Sequence, residues 1–469
     1  MGEHATNLAR IVAFGAAAWL GWWTVTEAGP DAPRVLDPVP THAADEGYGH
    51  FRWWERGRAF RWSAKPKFDP DGPIIVDTRH VSRQGVDVRL TPADNDYWSM
   101  HGYARAFDPA RAAGVAIEPI GWSWNLDGAS AVFINLVSGD NPGFRWSEVR
   151  ALRDFIRDGG GLLLITDHTD CYLHGDMLAQ LTAELGLSLP PVTVADPENG
   201  LGPRAKAWFR SVHLAPHPVT DGVRAVGFMT AGEIVGLTPI VRSGPNAWAD
   251  RWDPYRDEEN AGFTGALERE ADEPLASVPV VAAGEVGRGR VVVLADQNAF
   301  GGSMIGYADN ARLFSNAIGW VSHRSFSPPA PAVRTLGRGC ADAGLFGYRT
   351  LQVRIAAIAV DACEAGEGPA AAYVVLPGAS APPGVRAVVI EDHSLEAVGA
   401  STSPPLHWEG FRAVDATDRV LVEQIGSTLV VHEGDLLKNA NLGGERDPVA
   451  FPPAGEVLDH VLAFVRGRE

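Results

Sequence analysis

Cysteine is scarce in this 469-residue chain: there are three, at 171, 340 and 363. A disulfide-stapled scaffold is therefore excluded as the main source of stability. Cys340 and Cys363 stand close enough in sequence to form one bridge in an oxidising compartment or to remain two thiols, and Cys171 is left over. Basic charge is also in deficit, 40 Lys and Arg against 58 Asp and Glu, for a net charge of -18. That balance argues against wrapping a phosphate backbone, so nucleic acid is not an expected partner. Two catalytic signatures are missing as well. No H-E-x-x-H occurs, and the one H-x-x-x-H spacing, His213 to His217, is flanked by Pro216 and Pro218, which oppose the helix that would put both rings on one face. No small-residue elbow of the G-x-S-x-G kind surrounds Cys171, which sits beside bulky Tyr172, several residues after the nearest strand. A buried or incidental cysteine is the expected reading.

Long apolar runs are confined to the amino end. Ile11 to Val25 is uncharged, follows Arg10, and precedes Glu27 and a Pro-rich stretch from Gly29 to Pro40. Its length lies between a secretory hydrophobic region and the roughly 20 residues that span a bilayer. Trp19, Trp22 and Trp23 near its outer end suit a membrane interface. A signal anchor is expected over residues 1–28, with cleavage after Thr26-Glu27-Ala28 as the competitor. Either sends the remainder out of the cytoplasm, to the periplasm or the cell exterior.

What is present is a globular composition, 45% hydrophobic and 21% charged, in a chain long enough for two cores. Residues 29–70 read as a linker. Strands are expected at Pro73–Asp77, Val115–Ile120, Ala131–Val137 and Leu162–Ile165. Helices are expected between Tyr103 and Ala113, over Trp146–Asp158 with Gly159 as its stop, and after His174 on Met177, Leu178, Leu181 and Leu185. Strands alternating with helices define βαβ units and a parallel, doubly wound α/β domain over 71–324. From about 190 to 275 the pattern loosens, and Asn246–Phe263 reads as a surface insertion. Val278–Gly284 and Val291–Asp296 form a hairpin about a Gly287–Arg290 turn, and Asn310–Ser322 is the closing helix. The Pro-rich segment 325–333 is a domain boundary.

The remaining 334–469 repeats the theme as a smaller, degenerate α/β copy. Ala387–Ser394 parallels Leu162–Thr169, a buried strand followed by Asp-His and a hydroxyl residue. Val420–Gln424 and Leu429–Asp435 parallel the hairpin, and Val457–Val465 is a closing helix. Asp167 and Asp296 stand 129 residues apart, whereas Asp392 and Asp435 are separated by 43.

In such a sheet the strand carboxyl ends share one edge, where ligands bind. Asp77 and His80 follow the first strand; Asp167 and His168 follow the Gly-rich strand; Asp296 and Asn298 follow the hairpin. Together they are the expected ligand-binding set. Asp167 and His168 are the candidate acid/base pair, and Asp77, Asp167, His168 and Asp296 are candidate ligands for a divalent metal. Singly, each is better explained by capping helix amides and loop groups; as a set they fit a polar ligand site and scaffolding equally. Trp98, Trp122 and Trp124 fall near the same edge and could stack on a carbohydrate, though partly buried packing is the more usual role of Trp.

The first strand ending at Asp77 with His80, GGGLLLITDHT at 159–169, the turn from His217 to Gly222, and GRGRVVVLADQNAF at 287–300 together resemble the class I glutamine amidotransferase-like superfamily. The nearest likeness is to its non-amidotransferase branch of bacterial envelope proteins, similar to gliding-motility ABC-transporter auxiliary and intraflagellar-transport domains. The resemblance implies a flavodoxin-like sandwich and ligand binding or assembly at the envelope. Amidotransferases carry an elbow cysteine and a late His-Glu pair; here Asp167-His168 occupies the turn and the first domain has no late His-x-Glu. Glutaminase activity is therefore not expected. The resulting expectation is a membrane-anchored extracytoplasmic binding or accessory protein, with an envelope protein or carbohydrate as its partner. The alternative is a metal-assisted hydrolase of a polar envelope substrate.

Overall fold

The computed structural model describes residues 66–80, 87–94, 97, 102–120, 124–201, 206–252, 264–302, 304–337, 340, 348–357, 361–363, 369–391, 406–414, 418–432, 434–438, 442 and 452–467. The expected anchor and most of the first linker lie outside these residues, as do Trp98, Trp122, Asp392 and His393. Among the described residues no helix is long and apolar enough to cross a membrane.

The chain is a mixed α/β protein built on two eight-stranded sheets. The first runs in the order β2 (Ile117–Pro119), β1 (Ile74–Val76), β3 (Ala131–Asn135), β4 (Gly161–Ile165), β12 (Gly289–Leu294), β11 (Pro279–Val286), β9 (Thr238–Arg242), β7 (His213–Leu214). Its first five strands are parallel, and the last three extend it in antiparallel fashion. The parallel strands β3 and β4 are buried at every position, which is why they read as unbroken apolar runs.

Alternation along these strands sorts their side chains onto two faces. Val76, Phe133, Leu163, Ile165, Val292 and Leu294 pack under α4 (Asn310–Val321) through its Leu313, Phe314, Ala317, Ile318 and Val321. Ile75, Val132, Ile134, Leu162, Leu164, Val291 and Val293 meet Leu152, Phe155 and Ile156 of α2 (Trp146–Arg157), together with Leu178, Leu181 and Leu185 of α3 (His174–Leu185). Helix α2 stops where Gly159 takes φ +126, a backbone state that Cβ disfavours. The expected helix between Tyr103 and Ala113 is two short pieces, a 3₁₀ turn at Ala104–Phe107 followed by α1 (Asp108–Ala112), with Pro109 in the first turn of α1.

The stretch that looked irregular is largely extended. Strand β5 (Val192–Ala195) pairs with β10 (Trp248–Arg251), and β6 (Trp208–Ser211) with β8 (Val226–Met229), each pair antiparallel. The start of the supposed insertion at Asn246 is therefore a paired strand with Trp248 buried; residues 253–263 lie outside the described set.

The second sheet runs β14 (Asp361–Cys363), β13 (Val333–Leu336), β15 (Ala372–Val375), β16 (Ala387–Ile390), β20 (Thr428–Val431), β19 (Val420–Ile425), β18 (Arg412–Val414), β17 (His407–Glu409). Four parallel pairings are followed by three antiparallel ones, the same succession as in the first sheet. Helices α5 (Arg349–Ala356) and α6 (Pro452–Val465) contribute Leu351, Ile355, Val457 and Val461 to its core. That core also takes in Met229, Met304 and Tyr307 from the first half. Backbone hydrogen bonds cross the same seam, from Ala308 N to Cys363 O at 2.6 Å and from Cys363 N to Gly306 O at 2.7 Å. Cys363 is joined to Cys340 by a disulfide, with Cα atoms 5.9 Å apart.

Candidate functional site

Strand register decides which of the expected residues meet. Leu294 is level with Ile165 on the adjacent strand, so Asp296 and Asp167, each two residues further on, emerge side by side on the face covered by α4. Asp77 follows Ile75 in alternation and emerges on the face covered by α2 and α3. It also lies two strands from β4, about 10 Å away in the sheet plane. The strand-end residues thus divide into two clusters, one on each face.

The first cluster surrounds His80. Asp77 Oδ1 accepts the backbone N–H groups of Arg79 at 2.9 Å and of His80 at 3.2 Å, while its Oδ2 stands 3.0 Å from His80 Nδ1. On the other side of the ring, Nε2 is 3.5 Å from Glu148 Oε2, an ion pair without hydrogen-bond geometry. Arg79 pairs with the second oxygen of Glu148. Phe144 stacks on the imidazole at 4.0 Å and Trp124 meets it edge-on at 5.1 Å. Burial draws the His80 pKa down, but the two carboxylates outweigh it and the net direction is up. For Glu148 burial pushes up, and the His80 ring, the Arg145 amide and Arg79 more than reverse it. The result is a buried carboxylate–imidazolium–carboxylate clamp tying the end of β1 to the first turn of α2. Trp124, a candidate sugar platform on sequence grounds, is 4% exposed and serves this packing.

The second cluster occupies the turn after β4. Asp167, His168, Cys171, His174 and Asp296 are all buried. Asp296 accepts the backbone N–H groups of Met229 at 2.5 Å and Asn298 at 2.7 Å. Asn298 in turn donates from Nδ2 to Met229 O at 3.4 Å, so this expected ligand residue helps fasten β8 to the end of β12. Asp167 Oδ1 accepts the His168 amide at 2.8 Å. Burial raises the pKa of both carboxylates, and for Asp167 the nearby Asp296 carboxylate pushes it up further. Tyr103, from the α4 face, donates its hydroxyl to Gln297 O beside them.

His174 fixes its own tautomer. Nδ1 lies 2.8 Å from Cys171 O, and Nε2 accepts the Asp167 N–H at 3.4 Å, so Nδ1 carries the proton. Burial lowers its pKa to about 4 and that of His168 to about 3. The Cys171 thiol is pushed well up, first by burial and then by Asp167 and Asp170. Asp170 caps α3 by accepting the Gly175 N–H at 2.7 Å; burial pushes it up to about 7. Along the outer side of α3, Asp170, Asp176, Thr182, Ser188 and Pro191 line a shallow cleft. Three non-glycine residues of the turn, Thr169, Tyr172 and Leu173, adopt positive φ of 48°, 57° and 60°. Such conformations cost of order 1 kcal/mol or more each and persist only where surrounding contacts enforce them.

Sequence reasoning did not anticipate Glu148, whereas His174 belongs to the run of ionisable residues, Asp167, His168, Asp170, Cys171, His174 and Asp176, that follows the Gly-rich strand. Glu148 sits at the third position of α2, where its carboxylate accepts the Arg145 N–H at 2.7 Å; an acidic residue early in an amphipathic helix was the available signal. Of the His213–His217 pair, His213 begins β7, while His217 accepts the Val219 N–H at 3.1 Å and packs on Trp320.

No protein-family model matches the chain, and no curated protein sequence matches it. Solved structures do show likeness to this mixed α/β protein. The mmIFT52 N-terminal domain aligns at 10% identity over 53% of this chain and 97% of its own length, with a TM-score of 0.37. A ThuA-like protein from Parabacteroides merdae aligns at 12% identity over 55% of this chain and 93% of its own, with a TM-score of 0.32. A β-galactosidase from the Antarctic haloarchaeon Halorubrum lacusprofundi aligns at 16% identity over 59% of this chain and 33% of its own, with a TM-score of 0.31. None of these likenesses assigns an activity to the chain.

Proposed function

We propose that this chain is a membrane-anchored, extracytoplasmic binding or accessory protein. In this reading its first half is a doubly wound, flavodoxin-like domain of the class I glutamine amidotransferase-like kind, and its second half is a shortened copy. The matched succession of strand pairings in the two sheets and the helices on both faces of the first support the architecture. The apolar run at Ile11–Val25 supports the anchor.

The observation that carries the non-catalytic reading is the chemistry of the turn after β4. An acyl-transfer nucleophile needs a thiolate and a base to generate it. His174, whose Nδ1 stands 4.0 Å from Cys171 Sγ, commits both ring nitrogens to main-chain groups, and burial holds the thiol in its protonated form. The same burial favours a scaffolding role for Asp167 and His168, presenting the surrounding loops to an envelope partner.

A glutamine-analogue chloroketone is expected to leave Cys171 unmodified in the native protein and to alkylate it after unfolding. Stoichiometric labelling of the native chain, together with glutaminase or glycosidase turnover lost in Cys171→Ser or Asp167→Asn, would overturn the reading in favour of an enzyme. The full-length chain expressed in a Gram-negative host is expected in the membrane fraction, cleaved by protease once the outer membrane is permeabilised. Recovery in the cytosol would reject the anchor.

A further inference from the structure

Two carboxylates and a thiol, of Asp167, Asp296 and Cys171, lie buried beyond β4 and β12. Buried negative charge requires a proton, a paired cation or a metal ion. The donor atoms of Asp167, His168 and Cys171 all lie within 4.8 Å of one another. Around a tetrahedral ion with bonds of 2.0–2.3 Å, ligand atoms stand about 3.3–3.7 Å apart, so a contraction of about 1 Å would close the site.

A separate observation concerns the way His168 is held. Its Nδ1 lies against two hydroxyls, Thr169 Oγ1 at 3.2 Å and Thr193 Oγ1 at 3.3 Å, and its Nε2 stands 3.9 Å from Asp167 Oδ1. Metal-binding histidines are held in this manner, one nitrogen by an outer partner and the other turned to the ion. Nearby, on the strand adjacent to β4 and on the same sheet face as Asp167 and Asp296, Asn135 is fully buried with neither side-chain amide atom hydrogen-bonded.

We propose that Asp167, His168 and Cys171 form a binding site for a divalent transition-metal ion of the zinc class. Binding the ion releases the Cys171 thiol proton to solvent, so that one carboxylate and one thiolate balance a double positive charge, and the mixed oxygen, nitrogen and sulfur donors select against magnesium and calcium, which take oxygen ligands. The ion would tie the exit of β4 to the entry of α3 and stabilise the left-handed residues between them. This site goes beyond the accessory role and does not depend on it.

The test uses the full-length, untagged chain in detergent, purified without chelator from zinc-supplemented cells. Elemental analysis is expected to find about one zinc per chain. After chelation and dialysis, cobalt(II) is expected to bind with a thiolate-to-cobalt charge-transfer absorption. Because Cys340 and Cys363 are joined to each other, that band reports Cys171. Cys171→Ser should abolish it, Asp167→Asn and His168→Asn should each weaken cobalt binding at least tenfold, and Thr193→Val should weaken it less than tenfold. Wild-type protein with no bound zinc and no cobalt band would overturn the proposal, as would undiminished metal in Cys171→Ser. Should the variants fail to fold by circular dichroism, the wild-type cobalt spectrum and its displacement by zinc decide the matter alone.

Discussion

At the scale of the residue, the His80 clamp makes a signed prediction about pH. Its imidazolium is favoured in the folded state, so its contribution is fully present below the ordinary histidine value of 6.5 and is lost as pH climbs through the raised folded value. Glu148 moves the other way: its contribution is present above 4.5 and is lost as pH falls through the lowered folded value. His80→Gln is expected to cost about 3 kcal/mol at pH 6, the scale for breaking a buried charge pair. The gap from wild type should narrow steadily toward pH 9 in urea titrations. A pH-independent difference would mean that His80 acts through packing on Phe144 and Trp124 alone. Asp296 supports a second prediction. Asp296→Ala strands the Met229 and Asn298 amides without their acceptor, a loss of about 2–4 kcal/mol at 1–3 kcal/mol for each unpaired group with partial relief by water. Asp296→Asn keeps an acceptor oxygen and should lose less; chemical denaturation of the two variants gives the comparison.

At the scale of the element, the Cys340–Cys363 bridge closes a loop across a sequence separation of 23. The chain-entropy account assigns such a loop about 3 kcal/mol. Cys340→Ser with Cys363→Ser is expected to lower stability by that amount, measurable as a lowered denaturation midpoint with a steeper slope, because the unlinked denatured chain exposes more surface. The sequence left this bridge level with two free thiols, because spacing alone does not say whether two Cα atoms come within reach. The central strands were legible for a simple reason: β3, β4 and β12 are covered on both faces, so their apolar runs are unbroken. The ribbons β5 with β10 and β6 with β8 were not, since strands of four residues with intermediate positions such as Arg210 and Ala249 carry little periodicity. Asp167 and Asp296 could be paired from sequence, being at the ends of strands joined by an obvious pattern. Asp77 was drawn into the same set wrongly as to place, because a common edge does not fix a common face. Which face a three-residue strand presents depends on its register with its neighbours, and no single strand encodes that.

At the scale of the whole molecule, the two sheets share a seam. Gly227, in β8, faces Tyr307 so closely that a Cβ would lie 2.2 Å from the ring. Tyr307 is fully buried and belongs to the core of the second half. Gly227→Ala is therefore expected to destabilise by about 1–3 kcal/mol, the scale of overpacking. Because the seam is shared, the loss should appear in the melting of both halves as one transition in calorimetry. Two separated transitions, only the first displaced, would mean that the halves fold independently.

The segment 325–333 joins the sheets in sequence, yet the backbone hydrogen bonds across the boundary are made elsewhere, among Gly306, Ala308 and Cys363. Contact and covalent continuity are thus provided by different parts of the molecule. A protease site introduced at Pro328-Pro329 should yield a nicked protein whose two pieces elute together from a sizing column and separate only in denaturant. Expressed as two polypeptides, the same pieces should find each other. The peptide link then works as a tether that sets their local concentration, while recognition between them resides in the seam.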